Sequence, residues 1–289
     1  MIFTYRIEAG ALTQLEPQAG LEPADWIDLY RPQPAQVHAA EALGLHVPTL
    51  EDMEEIEISN RLYRDAGTDV VTVSLPGLGM NQAPSFGPVA FLITPNRLVT
   101  VRYHAPRPFT TFPTHAAQSS AGCGSYLHLF LGLVEEIVAR LADLLEGVGK
   151  ALDTTSGRLF DEPAAGPRPL EEMLYEVGRR GEDLARYRLS LLTLERALSA
   201  FGVWREERDL RPLLKSLNRD IQALLVHADF LSSRVAHVTD VILGMVNLEQ
   251  SGTSRTVSTV AVMFLPPTLV ASVYGMNFGF LPGLDHPYG

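Results

Sequence analysis

The first third of the chain alternates short runs rich in β-branched residues with segments of helical composition. Pro95-Asn96-Arg97 separates the last two runs and has the composition of a hairpin turn. Helices are predicted between the strands at 34–43 and 49–58. This mixture predicts a mixed α/β domain over residues 1–120. The predicted strands are residues 2–7, 25–29, 69–75, 89–94 and 98–103.

Beyond residue 125 the spacing of apolar residues changes to three and four, which is typical of packed helices. A first helical stretch extends from Leu127 to Leu152. Residues 153–169, which are rich in Pro and Gly, predict a turn or helix break. A second stretch covers 170–201. Together with a third, these stretches predict a helical stalk over residues 121–250.

The third helical stretch is the most regular, because it keeps a four-three spacing of apolar residues for about five heptads, typical of coiled-coil packing. No strong helix breaker except Gly252 follows it before the apolar C-terminal segment. A single helix from Leu210 to Gly275 would be roughly 100 Å long at 1.5 Å per residue. Such a length indicates a stalk rather than a helix of a globular domain. The positions are Leu210, Leu214, Leu217, Ile221, Leu224, Ala228, Leu231, Val235, Val238, Ile242 and Met245.

The C-terminal segment 256–284 contains no Asp, Glu, Lys, Arg or His. About 20 apolar residues are enough to cross a bilayer as a helix. Pro266-Pro267 lies within the segment, and membrane helices tolerate proline where neighbouring helices satisfy the freed carbonyls. The alternative is a buried helix of a soluble core, broken by these prolines. The pattern favours a transmembrane helix over 251–278, followed by an extracytoplasmic loop over 279–289. The fold class predicted is α+β, with an N-terminal domain, coiled-coil stalk helices and this C-terminal helix.

Composition and the absence of known motifs exclude several classes of function. The formal net charge of −11 argues against nucleic acid as a partner, because phosphate binding needs Lys and Arg. Cys123 is the one cysteine, so no disulfide can form within the chain, and the folded domains are expected in a reducing cytosol. Scattered histidines and the absence of HExxH, P-loop and GxSxG motifs predict that the protein is not an enzyme.

An acidic run lies within 51–57, directly after Thr49. A metal site is one interpretation. The other is a solvated helix that Thr49 caps with Asp52, with its carboxylates placed where the helix dipole favours them.

The apolar helix leads into Tyr274-Gly275-Met276-Asn277-Phe278. Gly275 and Asn277 could merely end the helix, as these residue types often do. The sequence VMFLPPTLVASVYGMNF over 262–278, however, resembles the first membrane helix and signature loop of the CorA family of magnesium transport proteins. WIDL at 26–29, TLEDMEEIEISNR at 49–61 and VNLEQ at 246–250 also resemble stretches of that family.

The resemblance implies a homopentamer in a lipid bilayer of the bacterial inner membrane type, with its N-terminal domain cytosolic. It implies a passive, gated channel for Mg²⁺, with Co²⁺ and Ni²⁺ as further ions. Divalent cations would bind at subunit interfaces, and their loss would open the pore. A second membrane helix and a basic tail are expected beyond Gly289.

The resemblance assigns ion selectivity to Gly275, Met276 and Asn277. Mg²⁺ dehydrates reluctantly, so a ring of neutral oxygen acceptors could hold the hydrated ion. The family often carries asparagine at the position of Ser251, and an acidic residue where 281–284 has none. The predicted pore-lining residues are Thr268, Leu265, Ala261, Val257, Ser254 and Ser251.

Regulatory cation sites are expected among the carboxylates of the stalk, with Asp209, Asp220, Asp229 and Asp240 as candidates. Two alternatives to a magnesium channel stay open. One is a zinc transporter of the ZntB type, which varies the middle residue of the Gly-Met-Asn motif. The other is a truncated, non-conducting module for cation sensing and assembly.

Overall fold

A seven-stranded mixed sheet forms the N-terminal domain of the computed structural model, which describes residues 1–55, 57, 61–65, 67–161, 167–205 and 207–276. The strand order is β2-β1-β3-β7-β6-β5-β4, and β3 pairs with β7 in parallel while the other neighbours are antiparallel. The strands are β1 (Ile2–Glu8), β2 (Ala11–Gln14), β3 (Trp26–Tyr30), β4 (Leu62–Asp65), β5 (Thr68–Leu78), β6 (Pro84–Ile93) and β7 (Leu98–Arg102).

Both faces of the sheet are covered, because alternate residues along each strand point to opposite faces. In β5, Val70 packs with residues of the two short helices α1 and α2, whereas Val71 packs with the long helices. The helices are α1 (Pro34–Glu41), α2 (Leu50–Glu54), α3 (Pro108–His115), α4 (Tyr126–Asp161), α5 (Pro167–Trp204) and α6 (Arg211–Tyr274).

Helices α4, α5 and α6 form a bundle, and α5 also packs on β5. The backbone N–H of Ser74 in β5 donates to Thr193 Oγ1 in α5 at 3.1 Å. Just after the C-terminal end of α5, Arg205 pairs at 2.6 Å with the buried carboxylate of Asp69, which also pairs with Arg64. The bundle is therefore fixed to the sheet at two places.

The α+β fold class is confirmed, as are the five predicted strands and the three long helices. Helix α6 is a single helix of 64 residues. Its buried side chains face α4 and α5 of the same chain. The predicted four-three series contains Leu224, but the structure buries Leu225 and leaves Leu224 only partly buried. A straight α-helix drifts from a strict seven-residue repeat, which explains this shift by one residue.

Two predicted boundaries were wrong. Helix α4 continues to Asp161 through most of the predicted break, because Leu159 is buried in the bundle core and this packing outweighs the low helix propensity of Gly157. The predicted helix 49–58 ends early, since Glu55 has an extended ψ of 140°.

Candidate functional site

The distal part of α6, residues 251–274, has no buried side chain. Val257 is 64% exposed and Leu265 is 66% exposed. Over the described residues, this is the one helix long and apolar enough to cross a membrane, judged by length and composition. A helix that is apolar all round needs an apolar environment, which a bilayer would provide.

Pro266 and Pro267 lie inside α6, and the helix continues through them to Tyr274. Proline has no backbone N–H, so the carbonyls of Val262 and Met263 lose their usual donors four residues later. One residue further on, Thr268 Oγ1 donates to the carbonyl of Phe264 at 2.7 Å. Because its proton is used in this way, the Thr268 oxygen can still accept a hydrogen bond from the water shell of a hydrated cation.

The predicted pore-lining residues follow one another at steps of three and four on α6, and all six are exposed. At 3.6 residues per turn they fall within an arc of about 120° on one face. Towards the N-terminus of α6, the same spacing continues through Asn247, Gly244 and Asp240, which are also exposed. Asn247 and Gly244 are not among the predicted pore-lining residues, although the spacing of three and four that leads back from Ser251 also selects them.

The motif begins where α6 ends. Gly275 has φ −80° and ψ −9°, and its N–H donates to Ala271 O at 2.9 Å. Glycine at a helix end often adopts a left-handed conformation, but Gly275 does not. A Cβ on Gly275 would lie 3.0 Å from the Ala271 carbonyl oxygen, so the position is tight for any side chain. Met276 is exposed, and Asn277 lies outside the described residues, as does 279–289.

The four candidate regulatory carboxylates are all exposed and do not come together within the chain. Asp209 lies in the short 3-10 helix before α6. Asp220, Asp229 and Asp240 follow at spacings of about 14 and 17 Å along α6. Asp229 pairs with Arg188 of α5 at 2.7 Å. Across the described ranges, no three or more His, Cys, Asp or Glu side chains group into a metal site.

The acidic run at 51–57 begins as a capped helix. Thr49 Oγ1 accepts from the Asp52 N–H at 3.2 Å, and Asp52 Oδ2 accepts from the Thr49 N–H at 2.9 Å. This is a reciprocal capping box, as predicted. Hydrogen bonds from Thr49 lower the pKa of the Asp52 carboxyl.

The family model for CorA-like Mg²⁺ transporter proteins matches residues 22–289. This chain belongs to the CorA family. The magnesium transport protein CorA of Escherichia coli strain K12 is 31% identical over 303 residues, covering all of this chain and 92% of that protein. The family consists of membrane transporters of divalent cations, and the distal α6 is the candidate membrane helix of this member.

Solved structures share the fold at low identity. The complete CorA magnesium transporter of Methanocaldococcus jannaschii matches with a TM-score of 0.74 at 18% identity, covering 99% of this chain and 90% of that chain. The cytoplasmic domain of ZntB from Vibrio parahaemolyticus matches with a TM-score of 0.61 at 15% identity, covering 86% of this chain and 98% of that domain. At these identities the likeness concerns the fold alone.

Proposed function

We propose that this chain is the subunit of a homopentameric channel for passive, gated Mg²⁺ entry across a bacterial inner membrane. The observation that carries the proposal is the exposed row on distal α6 that leads without a break to the Gly-Met-Asn motif. Five copies of α6 around an axis would turn each position of the row into a ring. Domain 1–120 and the stalk 121–250 would lie in the cytosol, 251–278 in the membrane and 279–289 outside.

The rings would perform different tasks. Asn277, with Gly275 and Met276, would present neutral oxygens at the outer mouth, which hold a hydrated Mg²⁺ without stripping its water. Thr268 would add a ring of hydroxyl acceptors. Leu265 and Val257 would form apolar constrictions that close the pore by losing water. Ser254 and Ser251 would receive the ion at the cytosolic mouth. The same rings would admit Co²⁺ and Ni²⁺ when these are present.

Gating would follow from cations bound between subunits. Asp240 lies on the exposed row itself, so five copies would face one another across the axis. Bound Mg²⁺ would offset their repulsion, and its loss would let the stalk helices separate. Asp209, Asp220 and Asp229 are further candidates for interfacial ligands.

The test is Mg²⁺ flux into proteoliposomes that contain an Mg²⁺-sensitive dye. Asn277→Ala is expected to abolish uptake and leave the oligomer mass in detergent unchanged, because it removes only the acceptor ring. The matched control is Asn81→Ala, in the exposed turn between β5 and β6, which should conduct like the parent chain. Uptake by Asn277→Ala at the parent rate would refute the selectivity role, and a monomeric mass for the parent chain would refute the pentamer.

A further inference from the structure

A cavity of about 650 Å³ opens between the sheet and the long helices, away from the ion pathway. Its walls come from the end of the β5–β6 hairpin, the start of α3, and the facing sides of α4 and α5. The hairpin end is fixed by two backbone hydrogen bonds between Leu78 and Ala105, at 3.0 and 2.9 Å. Small-molecule sites generally have volumes of about 300–1,000 Å³, so this cavity is large enough for one.

The cavity is basic although the chain is acidic. Arg107 before α3, Arg140 on α4 and Arg186 on α5 all line it, and Asp183 is the one acidic residue of the lining. The chain as a whole has 23 Lys and Arg against 34 Asp and Glu. Because the three arginines come from segments far apart in sequence, the fold itself concentrates positive charge at this place. Several arginines in the lining of one cavity favour an anion as the occupant, above all phosphate.

The three arginines can bind a ligand at a small cost in stability, because few strong ion pairs have to be broken. Arg107 forms no ion pair within the part of the chain that the structure describes. Arg140 pairs with the exposed Asp143 at 3.8 Å, and Arg186 pairs with the exposed Glu182 at 3.1 Å. Both are pairs within one helix at the surface, a kind that contributes little to stability and is readily exchanged. Asp183 is occupied by Arg180 at 3.5 Å.

The remaining wall mixes apolar residues with the polar side chains of Gln82, Ser85, Thr110 and Thr111, and two of its residues are aromatic. Phe86 from β6 and Tyr187 from α5 are half-buried and both line the cavity. Burial raises the pKa of the Tyr187 phenol, so this ring is neutral at physiological pH. Aromatic rings and Arg guanidinium groups both stack on planar bases. A free phosphate would leave this wall unused, and a monocarboxylate would need fewer arginines.

We propose that this cavity binds a nucleoside phosphate, with its phosphates on Arg107, Arg140 and Arg186 and its base against Phe86 and Tyr187. The site is independent of the ion pathway, because none of its lining residues belongs to α6. It joins the sheet to the bundle, so an occupant would contact both parts of the cytosolic body.

The experiment is titration calorimetry on the whole chain in detergent with ATP as the probe. A fixed excess of Mg²⁺ is kept throughout, so that chelation by ATP does not change the free Mg²⁺ concentration. ATP is expected to bind. Tripolyphosphate, which lacks the base, and adenosine, which lacks the phosphates, should each bind more weakly. The variant Arg140→Gln/Arg186→Gln should weaken ATP binding by at least about tenfold, since charge-assisted hydrogen bonds are the strong ones.

The matched control is Arg158→Gln, which removes an α4 arginine that pairs with Glu176 and does not line the cavity. It should bind ATP like the parent chain. Thermal unfolding of each variant establishes that it is folded, and Arg140→Lys/Arg186→Lys should bind with intermediate affinity because charge is kept and the planar fork is lost. Absence of ATP binding, equal affinity of parent and Gln variant, or tripolyphosphate binding as tightly as ATP would overturn the proposal.

Discussion

The two halves of α6 have the same backbone but opposite surroundings. In the proximal half, residues 211–250, a single row of side chains is buried against α4 and α5. In the distal half, residues 251–274, apolar side chains occupy every face and none is buried. The proximal half therefore packs its apolar stripe against other helices, whereas the distal half has no packing partner among the described residues of the chain.

The spacing of the apolar residues, rather than their number, identifies the environment of each part of α6. A stripe at four-three spacing with polar residues elsewhere fits a helix with one packed side, such as the row containing Ile221 and Ala228. Apolar residues on all sides, as at Val260, Val262 and Met263, fit a helix that lies within a bilayer.

The two parts of α6 should differ most clearly in their effect on solubility. A fragment of residues 1–250 should be folded and soluble without detergent, because the buried side chains of proximal α6 already complete its hydrophobic core. The chain 1–289 should sediment with membranes and need detergent for extraction. Fractionation after expression, followed by circular dichroism and gel filtration of the fragment, measures both. A full chain that stays in the soluble fraction would contradict the assignment of the distal half to the membrane.

The second prediction places one lysine in each half. Ile221→Lys puts a charge into the bundle core at a fully buried position. It should lower the free energy of unfolding by at least about 3 kcal/mol, because a buried charge without a partner is strongly destabilising. Val262→Lys, in the distal half, has no contact with the bundle core and should leave its unfolding unchanged while it impairs membrane insertion.

Thermal unfolding in detergent, monitored by the helical signal of the cytosolic part, measures the first effect, and the membrane-bound fraction measures the second. Equal melting of the Ile221→Lys and Val262→Lys chains would show that the two halves do not differ in the way we describe.

Regular elements were predictable where local pattern decides structure. The row on distal α6 follows from helix geometry alone. The sequence was therefore enough to place the six predicted pore-lining residues, from Ser251 to Thr268 at steps of three and four, on one face. Strand β2 was missed because Ala11–Gln14 is short and largely exposed, and its pairing with β1 depends on a turn with positive φ at Ala9 and Gly10. Helix α3 was missed because its two prolines suggest a loop.

Tertiary contacts explain what the pattern could not. In α3, Phe112 meets the ring of Trp26 at a centroid distance of 5.8 Å, so packing stabilises a helix of low propensity. The basic cavity depends on three arginines from separate elements, which no local spacing relates. The proposed pentamer would depend on contacts between chains, which no spacing within one chain encodes.

The third prediction concerns Mg²⁺ and separates two aspartates of α6. Bound Mg²⁺ should stabilise the folded assembly, by about 1.4 kcal/mol at ten times its Kd. Asp240→Asn should reduce the Mg²⁺-dependent rise in Tm, because Asp240 lies on the exposed row and forms no ion pair in the described part of the chain. Asp229→Asn should reduce it less, since Asp229 already pairs with Arg188.

Tm and protease resistance with and without millimolar Mg²⁺ measure this difference, with Ca²⁺-free and Mg²⁺-free buffers as references. A Tm that does not respond to Mg²⁺ in the parent chain would remove the basis for a sensing role.

The weakest effect is expected in the sheet, which buries polar groups with partners, whereas the distal helix has no Asp, Glu, Lys, Arg or His within 256–274. His104 is buried, and its Nε2 lies 2.8 Å from the carbonyl oxygen of Leu75. A carbonyl only accepts, so the neutral imidazole carries its proton on Nε2 and donates it to Leu75. Burial lowers the pKa of His104 below 6.5, against the opposing effect of this hydrogen bond, and Arg102 and Arg31 lower it further.

Because the folded-state pKa of His104 is below its unfolded value, the unfolded chain binds the proton first as the pH falls. The contribution of neutral His104 to stability is therefore complete above about pH 6.5 and declines below it, down to the folded-state pKa. His104→Gln keeps a side-chain N–H that can donate to Leu75 but does not titrate, so its Tm should fall less between pH 7.5 and 5.5 than that of the parent chain. His38→Gln, at an exposed position on α1, is the control and should follow the parent. Parallel Tm curves for the parent and the His104→Gln chains would show that this buried imidazole does not contribute to the acid sensitivity of the sheet domain.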